Sequence, residues 1–416
     1  MQSPTGRSES SRKVPYTELA LLLLFSRAAL LIVGILSTYL TSSGLALQKH
    51  NLVYHQAAPL PLEIWARWDS EWYLLIADRG YDVHDYFQRF SLDYEVSAAA
   101  GFLPLYPLLI RLTTTILPFL GGVAAGVILS NLCLFGALVL LYRLVESEVG
   151  GRAGRRAAYA ACAAILVFPM SLFLSAVYAE SLFLLLSLAC FHFARRGRFA
   201  TAAIAGGLAA VTRPAGVLLA LPLAWECWAQ RREPVEARAA NGMDEANQKN
   251  VRRRPGAWSW PSILVVPAPL FGFLLYCGSV FEDPFAFVHR QERWRGASSW
   301  PGRALVRWWT EGPVAHGTHG STLEMGIAVI CLAMIPFLFF RLRASYAIYA
   351  TAAILVPLCS TVWSFGRYAL TVFPVFMLVG EAWGARRSRL PLLYAIVGAT
   401  LSGFLMALFA NWWWVG

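Results

Sequence analysis

Carboxylates, guanidinium groups and aromatic rings are concentrated in the stretch "WARWDSEWYLLIADRGYD" at residues 65–82. Within it, Asp69 and Glu71 lie between Trp68 and Trp72. A carboxylate among aromatic rings can remove a proton from a hydroxyl group while the rings pack against a sugar. Asp69 is therefore a candidate general base, and its neighbours are candidate substrate contacts. The alternative interpretation is that the acids form only the solvated face of an amphipathic helix.

Isolated charges occur in two later apolar segments. Glu180 follows Tyr178 in "SAVYAESLF", and Arg213 lies in "AAVTRPAGVLL". A charge at that depth is costly unless it faces a polar cavity or a partner, and a guanidinium group suits phosphate oxygens. We therefore expect Arg213 to bind an anion presented from the bilayer. Two alternatives remain: Glu180 is an interfacial or helix N-terminal acid, or it forms a structural ion pair with Arg213.

Two other segments add polar groups to the same predicted surface. The sequence "STVWSFGRYALTVFP" places Arg367 and Tyr368 at a helix start. The sequence "GFLPLYPLLIRL" carries two prolines three residues apart, which favours a bent re-entrant or surface segment with Tyr106 and Arg111 as polar handles. These turns are predicted to converge near one membrane surface. Arg367 is expected to bind the donor phosphate together with Arg213, and the expected substrate contacts in the later segments are Tyr106, Tyr178, Glu180 and Tyr368.

The composition indicates what kind of chain positions these groups. Of its 416 residues, 57% are hydrophobic and 14% charged, and the mean hydropathy of +0.53 is too high for a soluble fold. Apolar runs recur at the length of membrane-spanning helices, so the chain is predicted to be an all-α polytopic membrane protein. The net charge of +11 does not indicate nucleic acid binding, because the basic residues form short patches between apolar runs.

The apolar runs predict about eleven transmembrane helices. They cover residues 19–41, 119–142, 157–170, 177–194, 199–212, 215–229, 259–281, 322–340, 345–362, 368–384 and 391–413. Two longer apolar stretches are each divided into two spans, because Pro169 and Pro214 disfavour a continuous helix.

The basic connections predict the orientation. With a cytoplasmic N-terminus, all of them fall on one side, as the positive-inside rule requires. They are residues 143–156, 195–198, 231–254, 341–343 and 386–389. The long loops at 42–118 and 282–321 then lie on the extracytoplasmic side, and the first of them is predicted to contain amphipathic helices at the membrane surface.

This orientation divides the chain into four parts. Residues 1–18 form a cytoplasmic tail, 19–229 an N-terminal catalytic transmembrane module, 230–258 a polar cytoplasmic linker, and 259–416 a C-terminal transmembrane module.

Cysteine and histidine patterns do not predict a metal site. The seven cysteines lie within or beside apolar segments without paired spacing, so we expect packing residues. In "HGTHG", His316 and His319 have no assigned third ligand, so no bound metal and no cofactor are expected.

Two further segments have competing interpretations. In "FEDPFAF", Glu282 and Asp283 either assist acceptor binding or begin a helix as caps, of which capping is the more common meaning. In "NWWWVG", Trp412 to Trp414 are interpreted as an interfacial aromatic belt and not as a sugar platform.

Glycosyl transfer from a sugar carried on a lipid phosphate is a reaction that would use these groups: a carboxylate in an extracytoplasmic loop, arginines, and aromatic rings beside lipid. The carboxylate would accept the proton of the acceptor hydroxyl, the arginines would stabilise the departing lipid phosphate, and the aromatic rings would pack against the sugar. The alternative class is a polytopic lipid or glycolipid transporter or flippase, which also uses broken helices and intramembrane charges. A non-catalytic scaffold is a third option, but it leaves the acidic and aromatic loop without a use.

The order of motifs resembles a known family. The segments "RWDSEWYLLIADRGYD", "GFLPLYPLLIRL", "SAVYAESLFLLL", "RRGRFATAAIAGGLAAVTRPAG" and "FGRY" followed by "FP" are similar, in that order, to the PIG-V mannosyltransferases of the GT-C superfamily. The similarity is clearest over residues 60–225. Two motifs depart from the family pattern: "FLPLYP" replaces an "FFPGFP"-like sequence, and "PAG" replaces an "SNG"-like turn.

The resemblance implies a GT-C-type helical bundle with Asp69 as the catalytic base. It also implies a polyprenyl phosphate sugar as donor, inversion at the anomeric centre, and an active site on the extracytoplasmic face. The expected acceptor is a lipid, glycan or protein.

Overall fold

The computed structural model describes residues 14–41, 53–90, 95–232, 256, 259–312, 321–385 and 389–416. Every regular element in these residues is an α-helix or a short 3-10 helix. The α-helices, in chain order, are α1 (Tyr16–Leu40), α2 (Leu60–Glu63), α3 (Asp69–Arg79), α4 (His84–Arg89), α5 (Leu105–Ile116), α6 (Gly122–Val149), α7 (Gly151–Leu166), α8 (Glu180–Arg195), α9 (Phe199–Ala210), α10 (Ala220–Arg232), α11 (Ala268–Phe281), α12 (Ala286–Arg295), α13 (Arg303–Glu311), α14 (Ser321–Arg341), α15 (Ala344–Leu355), α16 (Phe365–Thr371), α17 (Phe373–Ala385) and α18 (Leu390–Ala410). The predicted all-α polytopic membrane fold is confirmed.

The predicted number of membrane crossings is not confirmed. Each predicted span contains a helix, but within the described ranges only five helical segments are long and apolar enough to cross a membrane. They are Tyr16–Leu40, Gly122–Val149, Pro261–Phe281, Thr322–Arg341 and Leu390–Ala410. The pair α16 and α17, bent by 66°, is a sixth candidate. Helices such as α7 and α8, with 16 residues each, are about 24 Å long, which is shorter than a hydrocarbon core of about 30 Å.

The predicted proline breaks are present. Helix α7 ends at Leu166, before Pro169, and α9 ends at Ala210, before Pro214. At the first break, the buried guanidinium group of Arg27 donates hydrogen bonds to the carbonyl oxygens of Leu166 (3.0 Å) and Ser171 (2.7 Å). Arg27 thus satisfies carbonyl groups that the interrupted helix leaves without partners.

A glycine allows the second break to fold tightly. A Cβ atom on Gly216 would lie 2.3 Å from the backbone of Ala209 and Ala210. Only glycine therefore lets the 3-10 turn Pro214–Leu219 lie against the end of α9, and this turn positions Arg213.

Small residues also bring the two predicted modules together. On α17, Cβ atoms at Gly380 and Gly384 would lie 2.4 Å and 2.7 Å from the backbone of Ala157 on α7. Such close backbone approach is typical of helix pairs in membranes. One hydrophobic core contains residues of both modules, for example Leu223 and Tyr346. The predicted linker at 230–258 lies largely outside the described residues, so the division into modules stays a prediction.

The first long loop differs from its prediction. Helix α3 is present, but its residues 70–77 are all buried and it packs against α5 and α6, so it lacks the exposed face of the predicted amphipathic helix over these residues. The prolines of "GFLPLYPLLIRL" do not bend the chain either, since Pro104 precedes α5 and Pro107 lies in its first turn, where backbone N–H groups have no helical acceptor. The loop is therefore a packed layer of short helices.

The cysteine prediction is confirmed. All seven cysteines are free thiols, and six of them are buried. They act as small packing residues.

Candidate functional site

Four charged residues from separate segments form one ionic group, which we call the site cluster: Asp69, Glu180, Arg213 and Arg367. Arg367 donates from Nη1 to Asp69 Oδ2 at 2.9 Å and from Nε to Glu180 Oε1 at 2.8 Å. Arg213 Nη1 lies 2.6 Å from the same Glu180 Oε1. Asp69, the predicted base, therefore pairs directly with Arg367, and Glu180 joins Arg367 to Arg213, the second predicted phosphate-binding arginine.

The two acids of the site cluster differ in access. Glu180 is fully buried, and none of the described residues donates a hydrogen bond to its Oε2 atom. The Asp69 side chain is 27% exposed. Asp69 is thus the more accessible of the two carboxylates, while Glu180 holds the guanidinium groups in place.

The backbone around Asp69 is held in an unusual conformation. Asp69 is the first residue of α3, and the preceding Trp68 has φ +57° and ψ −116°, outside the regions that residues with a Cβ atom favour. The Asp69 N–H donates to the Tyr178 hydroxyl (3.2 Å), which in turn donates to the Arg67 carbonyl (3.0 Å). Strain of this kind costs about 1–3 kcal/mol and is typically retained at functional sites.

Other strained residues lie beside the same cluster. Four non-glycine residues in the described part of the chain have positive φ: Trp68, Ser364, Trp412 and Glu282. Ser364 directly precedes α16, which carries Arg367, and the Trp412 ring packs 6.4 Å from that of Trp68. The backbone strain is thus concentrated where the ionic residues meet.

Aromatic rings surround the arginines. The Cζ atom of Arg367 lies 4.7 Å from the ring centre of Tyr178 and 4.9 Å from that of Phe173. The Tyr368 ring lies between two guanidinium groups, with Arg213 Cζ at 4.9 Å and Arg295 Cζ at 4.8 Å. Cation–π contacts of this kind orient guanidinium groups while leaving some of their N–H donors available.

Seven of the predicted site residues meet in or around the site cluster. They are Trp68, Asp69, Tyr178, Glu180, Arg213, Arg367 and Tyr368.

Three predicted substrate contacts are placed elsewhere. The Tyr106 hydroxyl is fully buried and bonds to Ser130 (2.7 Å), while Trp72 stacks on Phe102 at 5.6 Å. The Glu71 carboxylate accepts hydrogen bonds from backbone N–H groups near Val53. Their residue types fit a substrate site, but their side chains point into the packed layer around α3.

Glu71 has an altered acidity in this layer. Burial raises the pKa of the Glu71 carboxyl group from 4.5 to about 7, although the N–H groups of Val53 and Tyr54 oppose the shift. Its Oε1 atom is buried, and no described residue donates a hydrogen bond to it. Glu71 is therefore a structural acid whose pKa lies near neutral pH.

Arg111 also has a structural role. It donates to the carbonyl oxygens of Ala77 (2.7 Å) and Asp78 (2.8 Å) at the end of α3. It therefore holds the end of the helix that carries Asp69.

The structure adds residues that the sequence analysis did not select. Arg295 reaches the site through Tyr368, and the buried Glu324 on α14 lies near Arg295 and the backbone N–H groups of Ser364 and Gly366. Glu324 carries the same signal as Glu180, an isolated acid at the start of an apolar run. Arg295, in the polar sequence "ERWRG", carries no such signal.

The C-terminal tryptophans require a correction. The Trp414 ring lies 5.6 Å from that of Trp68 and 5.7 Å from Arg367 Cζ. Trp414 therefore faces the site cluster, and the interpretation as a membrane belt is wrong for it. Local sequence could not show this, because the contact joins residues far apart in the chain.

The remaining polar motifs have simple roles or lie outside the described residues. Asp283 Oδ1 accepts the Phe285 N–H at 2.9 Å, and Oδ2 bonds to His289, so this acid organises the turn before α12. The N-cap of α12 is Phe285, without a side-chain cap, so the capping interpretation is wrong for Asp283. His316 and His319 lie outside the described residues. Among the described residues, no three His, Cys, Asp or Glu residues form a group suited to a metal ion, and metal independence stays a prediction.

Comparisons with known proteins give two findings. A family model described as mannosyltransferase (PIG-V) matches residues 17–226, just over half of the chain. A comparison with curated protein sequences found no match.

Solved structures are similar over most of the chain. ArnT from Cupriavidus metallidurans, bound to undecaprenyl phosphate, has 15% identity and a TM-score of 0.50, covering 92% of this chain and 63% of ArnT. The oligosaccharyltransferase of Archaeoglobus fulgidus, with an acceptor peptide tethered to it, has 13% identity and a TM-score of 0.43, covering 94% of this chain and 56% of its own. The likeness to ArnT shows the fold, which is of the predicted GT-C type.

Proposed function

The chain belongs to the PIG-V mannosyltransferase family, and on that premise we propose that it transfers a mannosyl residue from a polyprenyl phosphate donor to an acceptor hydroxyl group. The observation that carries the proposal is the geometry of Asp69: a partly exposed carboxylate at a strained helix start, oriented by a bond from Arg367 to one of its oxygens. Family membership favours this enzyme over the transporter alternative.

The chemistry follows from the charges of the site cluster. The acceptor oxygen attacks the anomeric carbon as its proton passes to Asp69, and the bond from that carbon to the phosphate oxygen breaks with its electron pair leaving on the lipid phosphate. Arg213 and Arg367 stabilise the negative charge that develops there. Since Glu180 holds both guanidinium groups through one oxygen, they are fixed in position before the donor binds. The reaction needs no cofactor in this scheme.

Attack from the side opposite the leaving phosphate inverts the anomeric configuration. ArnT has been seen bound to undecaprenyl phosphate, a lipid phosphate of the class proposed here as the departing group. Its polyprenyl tail would lie in the bilayer between helices.

The experiment supplies radiolabelled polyprenyl phosphate mannose to the purified full chain and measures transfer to an acceptor. Asp69→Asn preserves size and most hydrogen bonding but cannot accept a proton, so transfer is expected to fall at least about 100-fold. Asp78→Asn is the matched control, because it changes an acid on the same helix that lies outside the site cluster and is 42% exposed. Near-normal transfer by Asp69→Asn would exclude the general-base mechanism.

The orientation has its own test. We propose a cytoplasmic N-terminus and an extracytoplasmic site, on the basis of the basic connections. In a Cys359→Ser background, where the remaining native cysteines are buried, an impermeant maleimide should label Asp78→Cys in intact cells and should not label Arg231→Cys. The opposite labelling pattern would reverse the topology.

A further inference from the structure

The second long loop carries an apolar surface that lies outside the candidate membrane spans. Trp309 on α13 is 84% exposed, which is more than any other large apolar side chain described outside those spans. Val306, one turn before it, and Trp300, just before the helix, are each more than half exposed. Exposed apolar side chains that are neighbours on one helix mark a surface for a partner or a membrane.

Helix α13 has three distinct faces, because successive residues of an α-helix point about 100° apart. The first face packs against the hydrophobic core and consists of Ala304, Leu305 and Trp308. The second face is exposed and apolar and consists of Val306 and Trp309. The third face is polar and consists of Arg303, Arg307 and Thr310. The apolar part of the helix is therefore wider than the part that the described residues cover.

Helix α13 lies at the level of one end of a membrane span. Just before it, the Ser299 N–H donates to the carbonyl oxygen of Cys359 (2.8 Å), in the 3-10 turn that precedes α16. Helix α16 packs against the span α14, and Glu324 in the first turn of that span lies near the backbone N–H group of Ser364. Because α16 also carries Arg367, α13 lies on the side of the membrane where the site cluster is.

The three faces match the surroundings of a helix at the rim of a membrane protein, where protein, acyl chains and lipid headgroups meet. Tryptophan is enriched at this depth, because its ring is apolar and its N–H group is polar. An arginine there lays its apolar stem along the acyl chains while its guanidinium group meets lipid phosphates. Arg303 fits this arrangement, since it is exposed and lies one turn from Val306. Lipid surrounds the end of every span, so it is the partner that this position supplies.

We propose that α13 is an interfacial helix, which lies in the lipid leaflet beside the site cluster with Val306 and Trp309 among the acyl chains. The helix anchors to the membrane the loop that carries Arg295, whose guanidinium group contacts Tyr368 in the site. This loop is thus fixed at the depth of the lipid headgroups. The inference does not depend on the proposed function, because it needs neither a donor nor an acceptor.

Spin labels measure the depth of each exposed face. The purified full chain, in a Cys359→Ser background, is reconstituted without substrate in vesicles of phosphatidylcholine and phosphatidylglycerol. A nitroxide is attached at Val306→Cys or Trp309→Cys, and at Thr310→Cys as the matched control on the polar face of the same helix. Collision with oxygen, which concentrates in the bilayer, is compared with collision with a nickel chelate, which stays in water. The ratio of oxygen to nickel collisions should be several-fold higher at positions 306 and 309 than at position 310.

A second pair of variants tests whether the apolar face holds the helix in place. Trp309→Asp puts a charge among acyl chains, which is costly, so the helix should move toward water. The rate of nickel collisions with a label at Val306→Cys should then rise several-fold. Thr310→Asp adds the same charge on the polar face and should leave that rate unchanged. The comparison of positions 306 and 310 in the protein that keeps Trp309 stands even where Trp309→Asp fails to fold.

Two outcomes would overturn the interfacial helix. Equal collision ratios at all three positions would place α13 in water. Labels at 306 and 309 that neither reagent reaches would show that a protein surface, such as a second copy of this chain, covers the apolar face. The expected label depths in a chain that transfers no mannose would support the interfacial helix and contradict only the proposed function.

Discussion

Two buried ionic groups lie at opposite ends of helix α8, and each contains two acids and two arginines. Glu180, the first residue of α8, belongs to the site cluster, and Arg195, the last residue, belongs to a second group. This second group, the structural cluster, consists of Glu148, Glu226, Arg195 and Arg343. The same side-chain types thus occur twice along one helix of 16 residues.

The two clusters differ in how completely their polar atoms are paired. In the structural cluster, both carboxylate oxygens of Glu226 have neutral donors, Ser345 at 2.6 Å and Gln230 at 2.9 Å. Tyr346 donates to the Glu148 oxygen that also binds Arg195. In the site cluster, Glu180 Oε2 has no donor among the described residues, and Asp69 is partly exposed. Complete pairing favours stability, whereas incomplete pairing leaves hydrogen-bonding capacity for a ligand.

The largest effect is expected from breaking the structural cluster. Glu226→Ala removes the acid that joins Arg195 and Arg343 and leaves buried positive charge without compensation, which typically costs about 3–5 kcal/mol. Thermal unfolding of the purified protein should show a much lower melting temperature, while the protein that remains folded keeps its donor and acceptor KM. Glu95→Ala is the matched control, because Glu95 and its partner Arg293 are 50% and 60% exposed and such pairs contribute little. Similar stability losses in both variants would remove the distinction between the two ionic groups.

The second-largest effect is expected in the site cluster, on kcat/KM for the donor. Arg213→Ala should lower kcat/KM for the lipid phosphate donor about 30-fold or more, since it removes a charge-assisted contact worth about 2 kcal/mol or more. Arg213→Lys should be less severe, because lysine preserves the charge but loses the bidentate fork. Arg195→Lys makes the corresponding change in the structural cluster. It should lower the melting temperature but have little effect on kcat/KM for the donor. If folded Arg213→Ala transfers sugar at the wild-type rate, Arg213 is only a structural partner of Glu180.

The smallest effect is expected at Glu71 and concerns the pH dependence of stability. In how completely its oxygens are hydrogen-bonded, Glu71 is intermediate between the two clusters. One of its oxygens is bonded, the other is buried without a donor among the described residues, and its pKa is raised to about 7 by burial. The raised pKa means that the stabilising contribution of this acid is fully present below pH 4.5 and is lost as the pH rises through about 7. The melting temperature of wild type should therefore fall by a few degrees over this range.

Glu71→Gln tests this interpretation, because glutamine cannot ionise. The variant should show a flatter dependence of melting temperature on pH and near wild-type transfer. A steep loss of transfer in Glu71→Gln would instead move the base from Asp69 to Glu71.

The sequence predicted the site cluster more successfully than the layer around it. Glu180 and Arg213 were identified because a charged residue within an apolar segment is costly without a partner, Asp69 because it lies among aromatic residues, and Arg367 because it lies at a predicted helix start. Glu71 and Trp72 were selected on residue type and proximity to Asp69, and Tyr106 as a polar group of a proline-containing segment. The structure buries all three in packing or backbone contacts. Spacing along a helix does not show which of its faces other helices cover.

Hydropathy and proline positions by themselves determined the helical class, the place of the long apolar helices and the breaks near Pro169 and Pro214, because these depend on local chemistry. Only the tertiary structure decided that α3 is buried, that Asp69 pairs with Arg367 across 298 residues, and that Trp414 reaches the site. It also decided how many helices are long enough to cross a membrane. Contacts between distant segments depend on how whole helices pack, and no local pattern in the chain encodes that packing.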